Sequence, residues 1–190
     1  MRILCDTCSV LMVIRIAPDM FIDERYGCVT IPSVHSEVFR TQKFKTKYPW
    51  RDAYKCKIEP LRSDALKISN VEVSLSTITM IVSAGVLNSK TGRLVDLSPT
   101  DKEVVACAAA HNYDITSGDS NLVDFAEQQF DVSNFSPLAL VNEWLDEGLI
   151  VWDQHMQMVI EDWEKCGEMG QPIKEVGRYQ ALTGKVYVGP

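Results

Sequence analysis

Apolar residues along this chain fall into short continuous runs that alternate with stretches of helical spacing. RILCD predicts a brief buried strand ending at Asp6, and SVLMVI behind it predicts the start of a helix. CVTIP predicts a second short extended stretch, followed by a helix over SVHSEVFR with Ser33 as its N-cap. The run VSLSTITMIVSAGV stays ambiguous, because its β-branched residues favour a strand while its length favours a buried helix. In SPTDKEVVACAAAH, the residues Ser98, Pro99 and Asp101 supply an N-cap, a first-turn proline and a capping-box acid for a helix through Ala110. YDITS predicts a strand, and Leu122, Phe125, Ala126 and Phe130 recur behind it at helical spacing, with Asp119 between strand and helix.

Strands alternating with helices predict an α/β fold with a parallel sheet. Toward the C-terminus, Trp152, Met156, Ile160 and Trp163 predict an amphipathic helix from about residue 150 to 168. Its apolar stripe is expected to pack on the core as an added layer, the alternative being a homodimer interface or a groove for a small protein partner.

At 190 residues, 46% of them hydrophobic, the chain is long enough for one well-packed domain with an added subdomain. No run reaches the roughly 20 apolar residues of a membrane helix, and neither an anchor nor a signal peptide is evident. The unpaired, irregularly spaced cysteines fit a reducing compartment, so a cytoplasmic location without membrane contact is expected.

Charge changes the picture in one place. From Arg40 to Lys57 there are seven basic residues and one acidic, a local +6 in a chain of formal net charge -7, which leaves -13 for the remainder. Phe44, Tyr48, Trp50 and Tyr54 are interleaved with those charges, the pairing of phosphate contacts and stacking platforms that single-stranded nucleic acid uses. Lys43, Lys45, Lys47, Trp50 and Arg51 are therefore candidate substrate-binding residues, on an arm expected to leave the sheet at the edge where the acids lie. The plain alternative is a solvated segment whose aromatic rings turn into the core.

The spacing CDTC at Cys5 and Cys8 raises zinc and redox chemistry. Zinc fails on inventory, because Cys28, Cys56, Cys107 and Cys166 are scattered singly with no histidine close behind. A redox dithiol would sit at a helix start with a βαβ unit already built, and here the motif begins at the fifth residue. Asp6, between the two thiols, is the residue to explain.

Taken singly, Asp6, Glu37, Asp101 and Asp119 each have a structural use as a helix cap or a solvated charge. Their placement joins them. Asp6 and Asp119 stand at the carboxyl ends of two strands, and Glu37 and Asp101 in what read as first turns of helices at the same sheet edge, where open parallel sheets hold their ligands. Carboxylates converging there repel one another unless divalent cations neutralise them, which points to Mg²⁺ or Mn²⁺.

The run ILCDTCSVL, then Glu37 in VHSEVFR, Asp101 in SPTDKEVVACAAAH, and SGD ending at Asp119 before NLVDFA resembles the PIN domain family, especially ribonuclease toxins of VapC type, over roughly residues 1 to 140. The resemblance implies a three-layer sandwich with a parallel sheet of order 3-2-1-4-5, a PIN-like domain over 1–145 and an extension over 146–190 packed on it. It further implies a metal-dependent endoribonuclease with Asp6, Glu37, Asp101 and Asp119 as metal-site acids. Thr7 and Ser117 match polar positions that flank these acids toward the substrate. In that family's scheme the metal activates water for in-line attack on RNA, leaving 5'-phosphate and 3'-hydroxyl ends. A toxin would also imply a small antitoxin protein as partner.

Cys8 departs from the pattern, standing where many members have Asn, and Asp124 reads as a solvated or supporting acid. The same Cys8 sets aside a dehalogenase-like phosphotransferase, which needs a second aspartate there. His35, His111 and His155 do not form a metal triad, and His35 and His111 read as helix-surface or satisfied residues. The non-enzymatic rival is a PIN-like scaffold that binds RNA or a protein without cutting.

Overall fold

The fold was obtained as a computed structural model, which describes residues 2–62, 69–166 and 170–190. Four short strands form a parallel sheet: β1 (Ile3–Cys5), β2 (Cys28–Val29), β3 (Asp114–Thr116) and β4 (Asn134–Phe135), in the order β2-β1-β3-β4. Register pairs Leu4 with Val29 on one side and with Ile115 on the other. Ile3, Leu4 and Cys5 are all buried, as a central strand covered on both faces requires.

Helices fill the connections: α1 (Thr7–Val13), α2 (Pro32–Arg40), α3 (Gln42–Lys47), α4 (Ser69–Ser83), α5 (Pro99–His111), α6 (Ser120–Phe130) and α7 (Pro137–Asp146). Beyond them lie α8 (Gln154–Glu161) and α9 (Ile173–Thr183), with a 3-10 stretch at Pro49–Lys57 and another at Asp162–Cys166. Among the described residues no helix is long and apolar enough to cross a membrane.

The general α/β reading is what the structure shows, while a five-stranded 3-2-1-4-5 sheet is not present among the described residues. The chain does return beside β2, where the Leu61 amide donates to the Thr30 carbonyl at 2.7 Å.

Two local expectations are corrected. The helix over SVHSEVFR starts a residue earlier than Ser33, with Pro32 in its first turn and Ile31 as a cap that offers no side-chain hydrogen bond. Glu37 accordingly lies in the second turn rather than the first. The ambiguous run resolves as α4, in which Thr77 and Thr79 return their hydroxyls to the carbonyls of Val73 and Leu75 at 2.9 and 2.8 Å. Val71 and Ile78, two turns apart, are its buried residues.

The C-terminal segment packs on the sheet domain. Met156, Val159, Ile160 and Trp163 are buried in the same core as Val10 and Met12, and the Trp163 indole donates to the Met12 carbonyl at 2.9 Å. The helix expected over 150–168 is shorter than its apolar stripe: Asp153 caps it, and the last turn carrying Trp163 tightens to 3-10 geometry. Helix α9 locks onto α7 through Arg178, which bridges Glu143 at 2.6 Å and Asp146 at 3.1 Å.

Candidate active site

The crevice between β1 and β3 is the switch point of this sheet, because the chain leaves β1 toward β2 on one side and returns to it with β3 on the other. Both strands stop there because an acid caps the following helix. Asp6 is the N-cap of α1 and accepts from the Ser9 amide at 2.7 Å; Asp119 is the N-cap of α6 and accepts from the Asn121 and Leu122 amides at 2.7 and 3.3 Å. In both residues it is Oδ1 that caps. Asp101 closes the capping box of α5, taking the Ser98 amide on Oδ2 at 2.9 Å while its own amide donates to the Ser98 hydroxyl. Capping and site-building are therefore done by the same carboxylates.

Hydroxyls tie the acids together. Ser117, just past β3, donates to Oδ2 of Asp6, and the same hydroxyl accepts from the Asp119 amide at 3.0 Å. Thr7 donates to Oε2 of Glu37 at 2.8 Å, linking the start of α1 to α2. Ser9, which the sequence reading passed over, joins the β1 and β3 ends from below by donating to the Thr116 carbonyl at 3.0 Å. Its only signal in the sequence is its place three residues after Asp6, where a cap finds its amide.

Electrostatics makes the remaining connection. The Asp101 carboxyl is pushed above its ordinary value, by burial first, against which the Ser98 hydrogen bonds pull it down, with the charges of Asp119 and Glu37 pushing the same way as burial. Asp6 thus reaches Asp119 through Ser117, and Asp119 and Glu37 both reach Asp101 through their fields. Asp6 and Thr7 are buried, Glu37 and Asp101 half-buried, and Asp119 exposed, so the set runs from the sheet edge out to solvent.

All four side chains are oxygen donors of the kind hard divalent cations take, and mutual repulsion among them is what a cation would relieve. As the side chains stand, no group of three or more His, Cys, Asp or Glu among the described residues is gathered closely enough to hold a metal ion. Each carboxylate has instead found a local hydroxyl or amide, so binding an ion requires side-chain rotation within the site.

Asp124 belongs elsewhere. Far from being solvated, it is buried under the loop before α5, accepting from the Ser89 amide at 2.7 Å and from the Ser89 hydroxyl. It anchors a turn in which Asn88, also buried, donates to the Ser120 carbonyl.

The basic arm divides into parts with different environments. Lys43, Lys45 and Lys47 are exposed on or beside α3. Arg51 is corrected as a phosphate contact: it is buried, with its guanidinium spent on the Val38 carbonyl at 2.9 Å, the Tyr48 carbonyl at 3.2 Å and the Asp52 carboxylate at 3.4 Å. Phe44, Tyr48, Trp50 and Tyr54 contact one another in succession, tilted or edge to face, with centroids 5.8 to 5.9 Å apart, Tyr48 buried and the others half-buried against the core.

Trp50 lies under the Arg15 guanidinium at 5.1 Å, beside Trp163 in a pocket of about 240 Å³. Arg15 follows the C-terminal end of α1, whereas Asp6 caps its N-terminal end, a separation of about 12 Å along the axis. The aromatic part of the arm is therefore at the other end of α1 from the acids, contrary to the expectation of a shared edge.

Cys5, Cys28, Cys56 and Cys107 form no disulfide, and burial pushes the Cys107 thiol up to about 11. Comparison of the chain with protein-family models, curated proteins and solved structures finds no match.

Proposed function

We propose that the chain is a metal-dependent endoribonuclease whose ion, Mg²⁺ or Mn²⁺, would be held by Asp6, Glu37, Asp101 and Asp119. The observation that carries this reading is the Ser117 hydroxyl that joins Asp6 to the Asp119 amide across the two strand ends, beside an Asp101 carboxyl raised by burial and, to a lesser extent, by the charges of Asp119 and Glu37. A bound divalent ion supplies Lewis-acid activation of water and neutralises charge on the phosphate.

The chain's own residues do the rest. Thr7 orients Glu37, and Ser117 fixes Asp6 while holding the Asp119 amide, so three acids are aimed by groups that are themselves anchored to β1 or β3. The caps leave one oxygen of Asp119 and one of Asp101 outside these capping bonds. Exposed Lys43, Lys45 and Lys47 draw in a polyanion that the acidic remainder would repel.

The test is incubation of the purified protein with single-stranded RNA in Mn²⁺ and in EDTA, with the new ends mapped. Cleavage in Mn²⁺ alone, leaving 5'-phosphates, is expected; cleavage that persists undiminished in EDTA would remove the metal from the account. The rival, an RNA- or protein-binding scaffold that does not cut, draws on the present separation of the carboxylates, and RNA retention without new ends in either condition would favour it. A role as the toxin of a toxin–antitoxin pair, with an antitoxin or a second copy as partner, is the setting the resemblance suggests, and growth arrest on expression, relieved by Asp6→Asn, tests it.

A further inference from the structure

The arm and α2 enclose a second polar site, apart from the four acids. A pocket of about 530 Å³ opens between them, lined by Ser33, His35, Ser36, Arg40, Lys55 and the ring of Phe39. Two of its cations come from separate elements, Arg40 from the last turn of α2 and Lys55 from the 3-10 stretch. The Lys55 ammonium lies 5.9 Å from the Phe39 ring centre and the His35 ring leans on the same phenyl at 4.8 Å, with Arg40 in the same lining.

Neither cation is paired with a carboxylate among the described residues. Within the arm, Arg51 is spent on carbonyls and Asp52, and Lys57 is paired with Asp19 at 2.7 Å. Among the described residues no carboxylate pairs with Arg40 or Lys55. The hydrogen-bonding groups of the pocket are likewise unspent. The Ser33 hydroxyl oxygen is buried with no hydrogen-bond partner, and α2 begins with no side chain capping its first amides. Burial, then Lys55 and Arg40, hold the His35 imidazole below its ordinary value. Two cations without a carboxylate partner and an orphaned hydroxyl on a half-apolar floor are complementary to a tetrahedral oxyanion.

We propose that this pocket binds a phosphate group of a nucleic-acid strand. The inference rests on the nuclease reading only for the choice of polyanion, and the site itself is separate from the four acids. Glu37 shares α2 with Ser33, His35, Ser36, Phe39 and Arg40 of the pocket, so a strand held here lies one helix flank away from Thr7 and Glu37. That places the pocket as an anchor for the strand beside the site of cleavage.

Binding of short fluorescent single-stranded oligonucleotides to the full chain, measured by anisotropy in EDTA so that no cleavage intervenes, tests the proposal. Lys55→Gln and Arg40→Gln should each weaken binding by about tenfold, the loss of one charge-assisted contact. Lys174→Gln, which removes the same charge from exposed α9, should change it less than twofold on the order of general screening. Paired oligonucleotides with 5'-phosphate or 5'-hydroxyl, and inorganic phosphate as competitor, separate the two sources of the group. A preference for the 5'-phosphate together with competition by phosphate identifies a terminal phosphate, and equal binding of the pair identifies the backbone. The proposal is overturned if Lys55→Gln and Arg40→Gln match Lys174→Gln, or if polyglutamate displaces the oligonucleotide as well as an equal charge of nucleic acid does. Because metal is absent throughout, a failure here is distinct from a failure to cleave.

Discussion

Ser117 donates its hydroxyl to Asp6 across the gap between adjacent parallel strands, and accepts from the Asp119 amide with the same oxygen. One small side chain therefore sets the positions of two acids separated by more than a hundred residues of chain. Removing it by Ser117→Ala leaves a buried carboxylate oxygen and an amide without that partner. A stability loss of about 1 to 3 kcal/mol is expected in urea unfolding, accompanied by reduced nuclease activity. Unchanged activity in the folded variant would show that Asp6 and Asp119 do not need common positioning.

Asp6→Asn and Asp119→Asn separate the capping role from the charge. Asn is as good an N-cap as Asp, so the Oδ1 contacts to Ser9 and to Asn121 survive. Circular dichroism melts should stay close to wild type, while cleavage in Mn²⁺ falls by about a hundredfold or more with the loss of a charged ligand. A variant that melts much earlier and cuts normally per folded molecule would assign these residues to capping alone.

The raised carboxyl of Asp101 gives a pH dependence with a definite sign. A carboxyl whose folded value lies above its unfolded one binds protons more tightly in the folded state, so stability falls as pH rises between the unfolded value, about 3.8, and the raised folded one. Above that window the ionised group opposes folding. Asp101→Asn should therefore flatten this part of the stability–pH curve and leave neutral-pH stability equal or higher, while cleavage activity is lost. The wild-type rate should decline on acidification through the raised value, since the neutral carboxyl is a poor ligand.

In His35 the same reasoning runs the other way. Its imidazole is held low by burial, by Lys55 and by Arg40, so the unfolded chain takes up the proton first as pH falls. Acidification below about 6.5, the unperturbed value, then costs stability, and His35→Gln should remove that component from a melting series across pH.

Arg51 and Lys45 stand close in sequence and should behave oppositely. Arg51→Ala removes a buried guanidinium that holds Val38, Tyr48 and Asp52, and should cost about 2 to 4 kcal/mol of stability. Lys45→Gln, at an exposed site, should leave stability within about 0.5 kcal/mol and reduce the salt dependence of RNA binding. Thermal melts and salt titrations of the two variants check both.

Strands β1 to β3 and helices α1, α2, α5 and α6 were legible because local signals agreed: Asp6 and Asp119 read as caps, the Ser98–Asp101 box as a helix start, and Leu122 to Phe130 as one buried face, whereas the two-residue β4 and helices α3, α7 and α9 were not read. Placement of Asp6 and Asp119 at one sheet edge followed from parallel topology, while Ser117 was singled out only by the resemblance. What remained illegible depended on contacts between distant residues. The interior position of Arg51 is set by carbonyls of α2 and α3, which no spacing reveals. Trp50 and Trp163 meet because the C-terminal helix folds back on α1, and Asp124 is buried only because the loop carrying Ser89 lands on it. In α4 the β-branched pattern was outweighed by packing of Val71 and Ile78 against the core.

The measurement that bears most directly on the four-acid site is calorimetric titration of Mn²⁺ into the protein and into the Asp6→Asn, Asp119→Asn double variant. The wild type should bind Mn²⁺ with release of protons at a pH near the raised Asp101 value, and the double variant, still folded, should bind at least about a hundredfold more weakly. Equal Mn²⁺ affinity in the two proteins would contradict the account, because the ion would then be held by other residues.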